Sequence, residues 1–343
     1  MRPAMRTTIL SVFLFLIMTG AAHGQGDLKF SEPGDFRLEN NQVIKSCRLG
    51  YRTFGNLNAD KSNAVLFPTW FAGTTQDLVD TEMIGPGRLI DTGRYYVVAV
   101  ESLGNGVSSS PSNSKAQPGQ AFPQCSIRDM VNAEYLLLTR DLHLNSLYAV
   151  AGISMGGMQA FQWMVSYPDY FKKAVSISGS PRVASCDLLL WQDEIMAIEQ
   201  GRSCGNLDVG MKTVSVIHSL ALYTPNFIAA HTRPDDFPAY LAGIEKGIKR
   251  FNPDNWELQL KAIMAHDIFR AFGGSPEQTA SVVRAGALVI VSLQDHMVNP
   301  EPAREFSGLI KAQLLELSTD CGHAAFQCEK DKLRDSVREF LGK

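Results

Sequence analysis

The stretch Leu147-Tyr148-Ala149-Val150-Ala151-Gly152-Ile153-Ser154-Met155-Gly156-Gly157-Met158-Gln159-Ala160-Phe161 decides the fold. An apolar run rich in β-formers stops at Gly152, Ser154 follows, and beyond Gly156 and Gly157 come residues that suit a helix. This reads as strand, tight turn and helix with a hydroxyl on the turn, the G-x-S-x-G pattern of a nucleophile elbow. Glycines are required because the turn is so sharp that side chains there would collide with neighbouring backbone. Ser154 Oγ is then lifted clear of the sheet, and the Met155 N–H points where an oxyanion would form. A bare G-x-S-x-G arises by chance in about one chain in ten of this length. A glycine-rich turn without chemistry therefore stays open until further residues are found in the right order.

Upstream, Ala64-Val65-Leu66-Phe67 is a short continuous apolar run, suited to a buried strand. It runs into Pro68–Thr74, the loop that supplies a second oxyanion donor in this architecture, here the backbone N–H of Phe71. Trp70 and Phe71 also suit a core, and both readings can hold because the donor is backbone. Residues 25–35 read as a loose lead-in and Val43–Thr53 as an edge hairpin strand. Tyr95–Val100 is the next buried strand, Leu103–Phe122 a Gly/Ser/Pro-rich loop, and Ser126-Ile127-Arg128-Asp129 a capping box opening a helix to about Leu142. Ala174–Ser178 is a further strand. Strands and helices thus alternate, which predicts an α/β fold with a mostly parallel central sheet covered on both faces.

Residues 182–284 change character, with helical spacing at Leu188–Ile198, Met211–Tyr223, Tyr240–Ile248 and Trp256–Phe269. They predict a helical cap inserted between two core segments, 36–181 and 285–343. The core resumes at Ala287–Val291, directly followed by Ser292-Leu293-Gln294-Asp295-His296. After the strand Gln313–Leu317 comes a loop carrying His323. Parallel strands end on one sheet edge, so groups placed after them gather there. The order Ser154, Asp295, His323 is that of α/β-hydrolases. His323 would take the Ser154 proton and Asp295 would fix the imidazole tautomer. Asp295 as a helix cap, His323 as a surface residue and His296 as the base are the competing readings. No histidine makes a metal-ligand spacing with another, so neither metal nor cofactor is implied.

The chain has 343 residues, 45% hydrophobic and 20% charged, with net charge −3 and no basic stripe, which excludes nucleic acid as the expected partner. Arg2 and Arg6, the apolar run Ile9–Met18 and Ala22-His23-Gly24 form a secretory signal, residues 1–24, cut before Gln25. Ten apolar residues are too few to span a bilayer. Export to the periplasm or medium is expected, with no membrane attachment after cleavage. Six cysteines suit an oxidising compartment. Cys186 with Cys204 and Cys321 with Cys328 are local pairings to test, against free thiols.

Taken together, these residues resemble the homoserine O-acetyltransferase family of α/β-hydrolases over nearly all of residues 45–341. The likeness includes Tyr51–Asn58, Asn63–Leu66, Gly85–Gly87, Gly152–Gln159, Arg250–Leu258 with His266-Asp267, and Asp320–Phe326. The resemblance implies Ser154, Asp295 and His323 as the catalytic triad, Phe71 and Met155 as oxyanion donors, and a homodimer through the cap. Two features depart from it. The family's acetyltransferases usually carry Asp after the base His, where this chain has Ala324, and a cap Arg that Trp191–Ile198 lacks. Each lost charged hydrogen bond weakens binding of an amino acid by about 1.5–3 kcal/mol. The expectation is therefore an exported serine hydrolase for a small acyl ester, with Trp70, Phe71 and Trp191 lining its pocket. An O-acyltransferase and a non-catalytic binding protein on the same scaffold are the alternatives.

Overall fold

The computed structural model describes residues 26–343; the expected signal segment 1–24 lies outside them. An eight-stranded sheet forms the core. Its strands are β1 (Lys29–Arg37), β2 (Val43–Phe54), β3 (Ala64–Pro68), β6 (Tyr96–Val100), β7 (Leu147–Ile153), β8 (Phe171–Ile177), β9 (Gly286–Ser292) and β10 (Gln313–Leu317). The spatial order is β1-β2-β6-β3-β7-β8-β9-β10. β1–β2 and β2–β6 pair antiparallel, and every later neighbour pairs parallel. A separate parallel ladder joins β4 (Ile84–Gly85) to β5 (Ile90–Asp91). The central strands read as unbroken apolar runs because both faces are buried. On one face α2 (Ile127–Leu136) packs on α3 (Met155–Ser166); α1 is Thr75–Asp80, and α10 (Glu301–Leu309), α11 (Ala325–Cys328) and α12 (Lys330–Gly342) complete the core helices.

Two expectations change here. Lys29–Arg37 is not a loose lead-in but the edge strand, and it moves Val43–Phe54 one place inward. The core sheet accordingly starts before residue 36. Its register shifts around Gly34, which hides the two-residue period that betrays a strand. The capping box does form: Ser126 Oγ accepts the Asp129 N–H at 3.2 Å and Asp129 accepts the Ser126 N–H at 2.9 Å.

Between β8 and β9 the chain is helical: α4 (Ser185–Ser203), α5 (Leu207–Leu222), α6 (Pro225–His231), α7 (Phe237–Ile248), α8 (Pro253–Met264) and α9 (Pro276–Val282). Cys186 and Cys204 sit at opposite ends of α4 and both are free. At 1.5 Å per residue they lie about 27 Å apart along the helix, far beyond disulfide reach. Cys321 and Cys328 are bonded.

Candidate active site

Four of the parallel strands end at one edge of the sheet, and each delivers part of the site: β7 gives Ser154, β9 Asp295, β10 His323 and β3 the loop 69–74. Ser154 holds φ 56° and ψ −121°, a strained backbone for a non-glycine residue. Its N–H is tied to the Ile177 carbonyl at 2.8 Å. The flanking glycines let the turn close. A Cβ on Gly152 would lie 2.1 Å from the Gly156 carbonyl oxygen, and one on Gly156 would lie 2.8 Å from that of Pro68.

Ser154, Asp295 and His323 are all buried and form one hydrogen-bonded chain. His323 Nδ1 lies 2.7 Å from Asp295 Oδ2, and Nε2 lies 2.8 Å from Ser154 Oγ. Asp295 Oδ1 also accepts the N–H groups of Met297 and Val298, both at 2.9 Å. Three N–H groups thus solvate the carboxylate and fix its plane. The network assigns the proton to Nδ1, which leaves the Nε2 lone pair for the serine hydroxyl. His296 is exposed, and the ring bonded to Asp295 and Ser154 is that of His323.

The backbone N–H groups of Met155 and Phe71 meet no protein acceptor among the described residues. The loop bearing Phe71 is heavily braced. Buried Glu101 accepts from the Thr75 N–H at 3.0 Å and from Asn105 Nδ2 at 2.7 Å, and Asn105 donates on to the Gly73 carbonyl at 3.0 Å. Gln159, in the elbow helix, donates to Ser102 Oγ at 3.1 Å and to the Thr69 carbonyl at 3.3 Å. Gln259 of α8 accepts the Ala72 N–H at 2.8 Å. The disulfide Cys321–Cys328 encloses His323 in a short loop. Thr224, at the start of α6, donates to the Asp320 carbonyl at 2.6 Å and links the same loop to the cap.

Above Ser154 and His323 lies a cavity of 370 Å³, within the range of small-molecule sites. Trp70, Phe71, His218, Phe251, Trp256 and Phe326 form much of its wall. Trp70 and Phe71 are thus where the sequence places them, but Trp191 is not. It is buried on α4 and does not line the cavity, whereas Trp256 of α8 does, edge-on to Phe71 with ring centroids 4.6 Å apart. Among the described residues no cluster of three or more His, Cys, Asp or Glu side chains has the geometry to hold a metal ion, and no helix is long and apolar enough to cross a membrane.

Residues 68–197 match the family model of the alpha/beta hydrolase fold. The chain is 35% identical over 353 aligned positions to a homoserine O-acetyltransferase of Geotalea daltonii, spanning 90% of this chain and 95% of the relative. It is 30% identical over 279 residues to an ethyl acetate hydrolase of Pseudomonas veronii, spanning 77% and 80%. The solved structure of the acetyl esterase MekB superposes with a TM-score of 0.86 at 26% identity, covering 94% of this chain and 99% of that one. The chain belongs to the homoserine O-acetyltransferase-like family of α/β-hydrolases.

Proposed function

We propose that this protein is an exported serine esterase that cleaves small acyl esters through an acyl-Ser154 intermediate. The observation that carries the reading is the chain Asp295–His323–Ser154 at the floor of a largely aromatic pocket. His323 Nε2 takes the Ser154 proton as Oγ attacks the ester carbonyl, and Asp295 stabilises the imidazolium. The oxyanion gathers the N–H groups of Met155 and Phe71. His323 then protonates the leaving alcohol, and water, deprotonated by the same ring, releases the acid and restores Ser154. Likeness to an ethyl acetate hydrolase and to an acetyl esterase supports the ester as substrate. Export is supported by the pattern of residues 1–24 and by the Cys321–Cys328 bridge, which suits an oxidising compartment.

The second reading, transfer of the acyl group to homoserine, is favoured by the 35% identity to an acetyltransferase. Against it stand buried Ala324, which offers no carboxylate beside His323, and export away from cytosolic acyl-CoA. A panel of ethyl and p-nitrophenyl esters from acetate to octanoate, with and without homoserine and acetyl-CoA, tests both. We expect ester hydrolysis by the wild type, abolished in Ser154→Ala, and labelling of Ser154 by a fluorophosphonate. Consumption of acetyl-CoA only in the presence of homoserine, without ester hydrolysis, would establish the transferase instead. A homodimer through the cap is supported by the exposed apolar side chains of Leu220 and Phe237. Light scattering at twice the chain mass tests it.

A further inference from the structure

The pocket has a second polar centre that the triad does not use. Glu194 of α4 is fully buried, and its two oxygens have one partner each: Trp256 Nε1, which donates at 2.9 Å, and His218 Nδ1 at 3.0 Å. His218 lies on α5 and lines the same cavity as Ser154, with its ring packed against Trp256 and Phe71. Its Nδ1 edge is held against the buried carboxylate, so the exposed edge, with Nε2, is the one left for the cavity. Among the described residues no protein group meets Nε2. The other charged side chains of the wall, Asp77 and Arg250, face each other at the rim, 3.7 Å apart.

The carboxylates behind His323 and His218 are held differently. Asp295 carries its charge with three N–H donors, two of them backbone. Glu194 has no backbone donor among the described residues, only the Trp256 and His218 side chains. Nε2 donates when it holds a ring proton and accepts when Nδ1 alone holds one. Either way a polar atom without a protein partner among the described residues is left for the cavity, and the oxygens of an ester can pair only with its donating form. We infer that His218, oriented by Glu194, is a specificity-determining residue that donates a hydrogen bond to a second oxygen of the substrate, a keto, ether or carboxylate oxygen a few bonds from the scissile ester. An aromatic pocket with one such donor prefers the oxygen-bearing ester, because the apolar isostere leaves that donor unpaired.

This inference rests on the esterase reading, and the test separates the two. The ratio of kcat/KM is measured for matched pairs: ethyl 4-oxopentanoate against ethyl pentanoate, and 2-methoxyethyl acetate against butyl acetate. Monoethyl succinate supplies the carboxylate arm. The wild type should favour at least one oxygen-bearing ester by about fivefold or more. His218→Phe should bring that ratio close to one. Because His218→Phe strips a hydrogen-bond partner from buried Glu194, the double variant His218→Phe/Glu194→Leu serves as a second reading of the same ratio. Glu194→Gln, whose amide can accept from Trp256 and donate to Nδ1, should keep the preference. No preference in the wild type, or a preference that survives loss of the imidazole, overturns the inference while leaving ester hydrolysis standing. Failure of every ester, with Ser154 unlabelled, overturns the esterase reading itself.

Discussion

Gln259 and Ala72 join the cap to the oxyanion loop: the Gln259 side-chain oxygen accepts the Ala72 N–H at 2.8 Å. The same amide donates to the Leu103 carbonyl at 2.9 Å, so one buried side chain from α8 spans the loops that follow β3 and β6. Ala72 has φ +55°, a conformation that a non-glycine residue keeps only when its surroundings hold it. Its neighbour Phe71 carries the N–H we assign to the oxyanion. Loss of a whole oxyanion donor costs about 10²–10³ in kcat. Loosening one by Gln259→Leu should cost about tenfold in kcat with KM little changed, and Gln259→Glu, which keeps the acceptor for Ala72, should recover part of the loss. Steady-state kinetics that separate kcat from KM check this. An unaltered kcat in the leucine variant would remove Gln259 from the positioning of the loop.

The disulfide is a second brace. Cys321 and Cys328 are seven residues apart with His323 between them. Closing so short a loop stabilises by about 2 kcal/mol in the chain-entropy model. Cys321→Ser/Cys328→Ser should lower Tm by a few degrees. It should also lower kcat, because the histidine loop gains freedom. Dithiothreitol should have the same effect on the wild type and none on the double variant. Calorimetry and ester turnover with and without reductant give the comparison.

Asp295→Asn tests the role of the carboxylate with little change of shape. The asparagine oxygen can still accept the N–H groups of Met297 and Val298, which turns its NH₂ toward His323. Nδ1 must then accept, the ring proton moves to Nε2, and the serine loses its base. In serine hydrolases this tautomer error costs about 10⁴ in kcat. The same order of loss is expected here, with Tm nearly unchanged and fluorophosphonate labelling slowed in parallel. Retention of a tenth or more of wild-type kcat would place the imidazole's partner elsewhere.

The parts of this site that can be read from sequence share one property: each lies in the turn or loop that follows a strand of the sheet. Ser154 comes after β7, Asp295 after β9 and His323 after β10, and parallel strands end together, so chain order alone brings them to one edge. The cap obeys no such rule. The periodicity of α4 and α8 marks an inward face, but not whether that face meets the core or the cavity. Trp191 and Trp256 are both buried, at 3% exposure each, yet only Trp256 lines the pocket. His218, Glu194 and Gln259 lie on three different helices, and their meeting depends on docking angles that no local pattern encodes. Lys29–Arg37 is hidden for another reason: it is polar, irregular in register and on the sheet edge.

Glu134 gives a pH signature that is independent of catalysis. It is fully buried on α2 and accepts the Trp163 Nε1–H at 2.7 Å. Burial pushes its carboxyl up to about 8, against the lowering effect of the Trp163 hydrogen bond. A folded-state value above the unfolded one means that the native state holds the proton more tightly. Its contribution to stability is therefore complete below about pH 4.5 and is lost as pH rises toward about 8. Glu134→Gln keeps an acceptor for Trp163 and cannot ionise. The stability of the wild type relative to this variant should fall by about 1.4 kcal/mol per pH unit within that window. Above the window the difference should level off. Paired urea denaturation curves at pH 5, 6.5 and 8 measure the difference directly, and parallel pH profiles for the two proteins would show that Glu134 carries no such linkage.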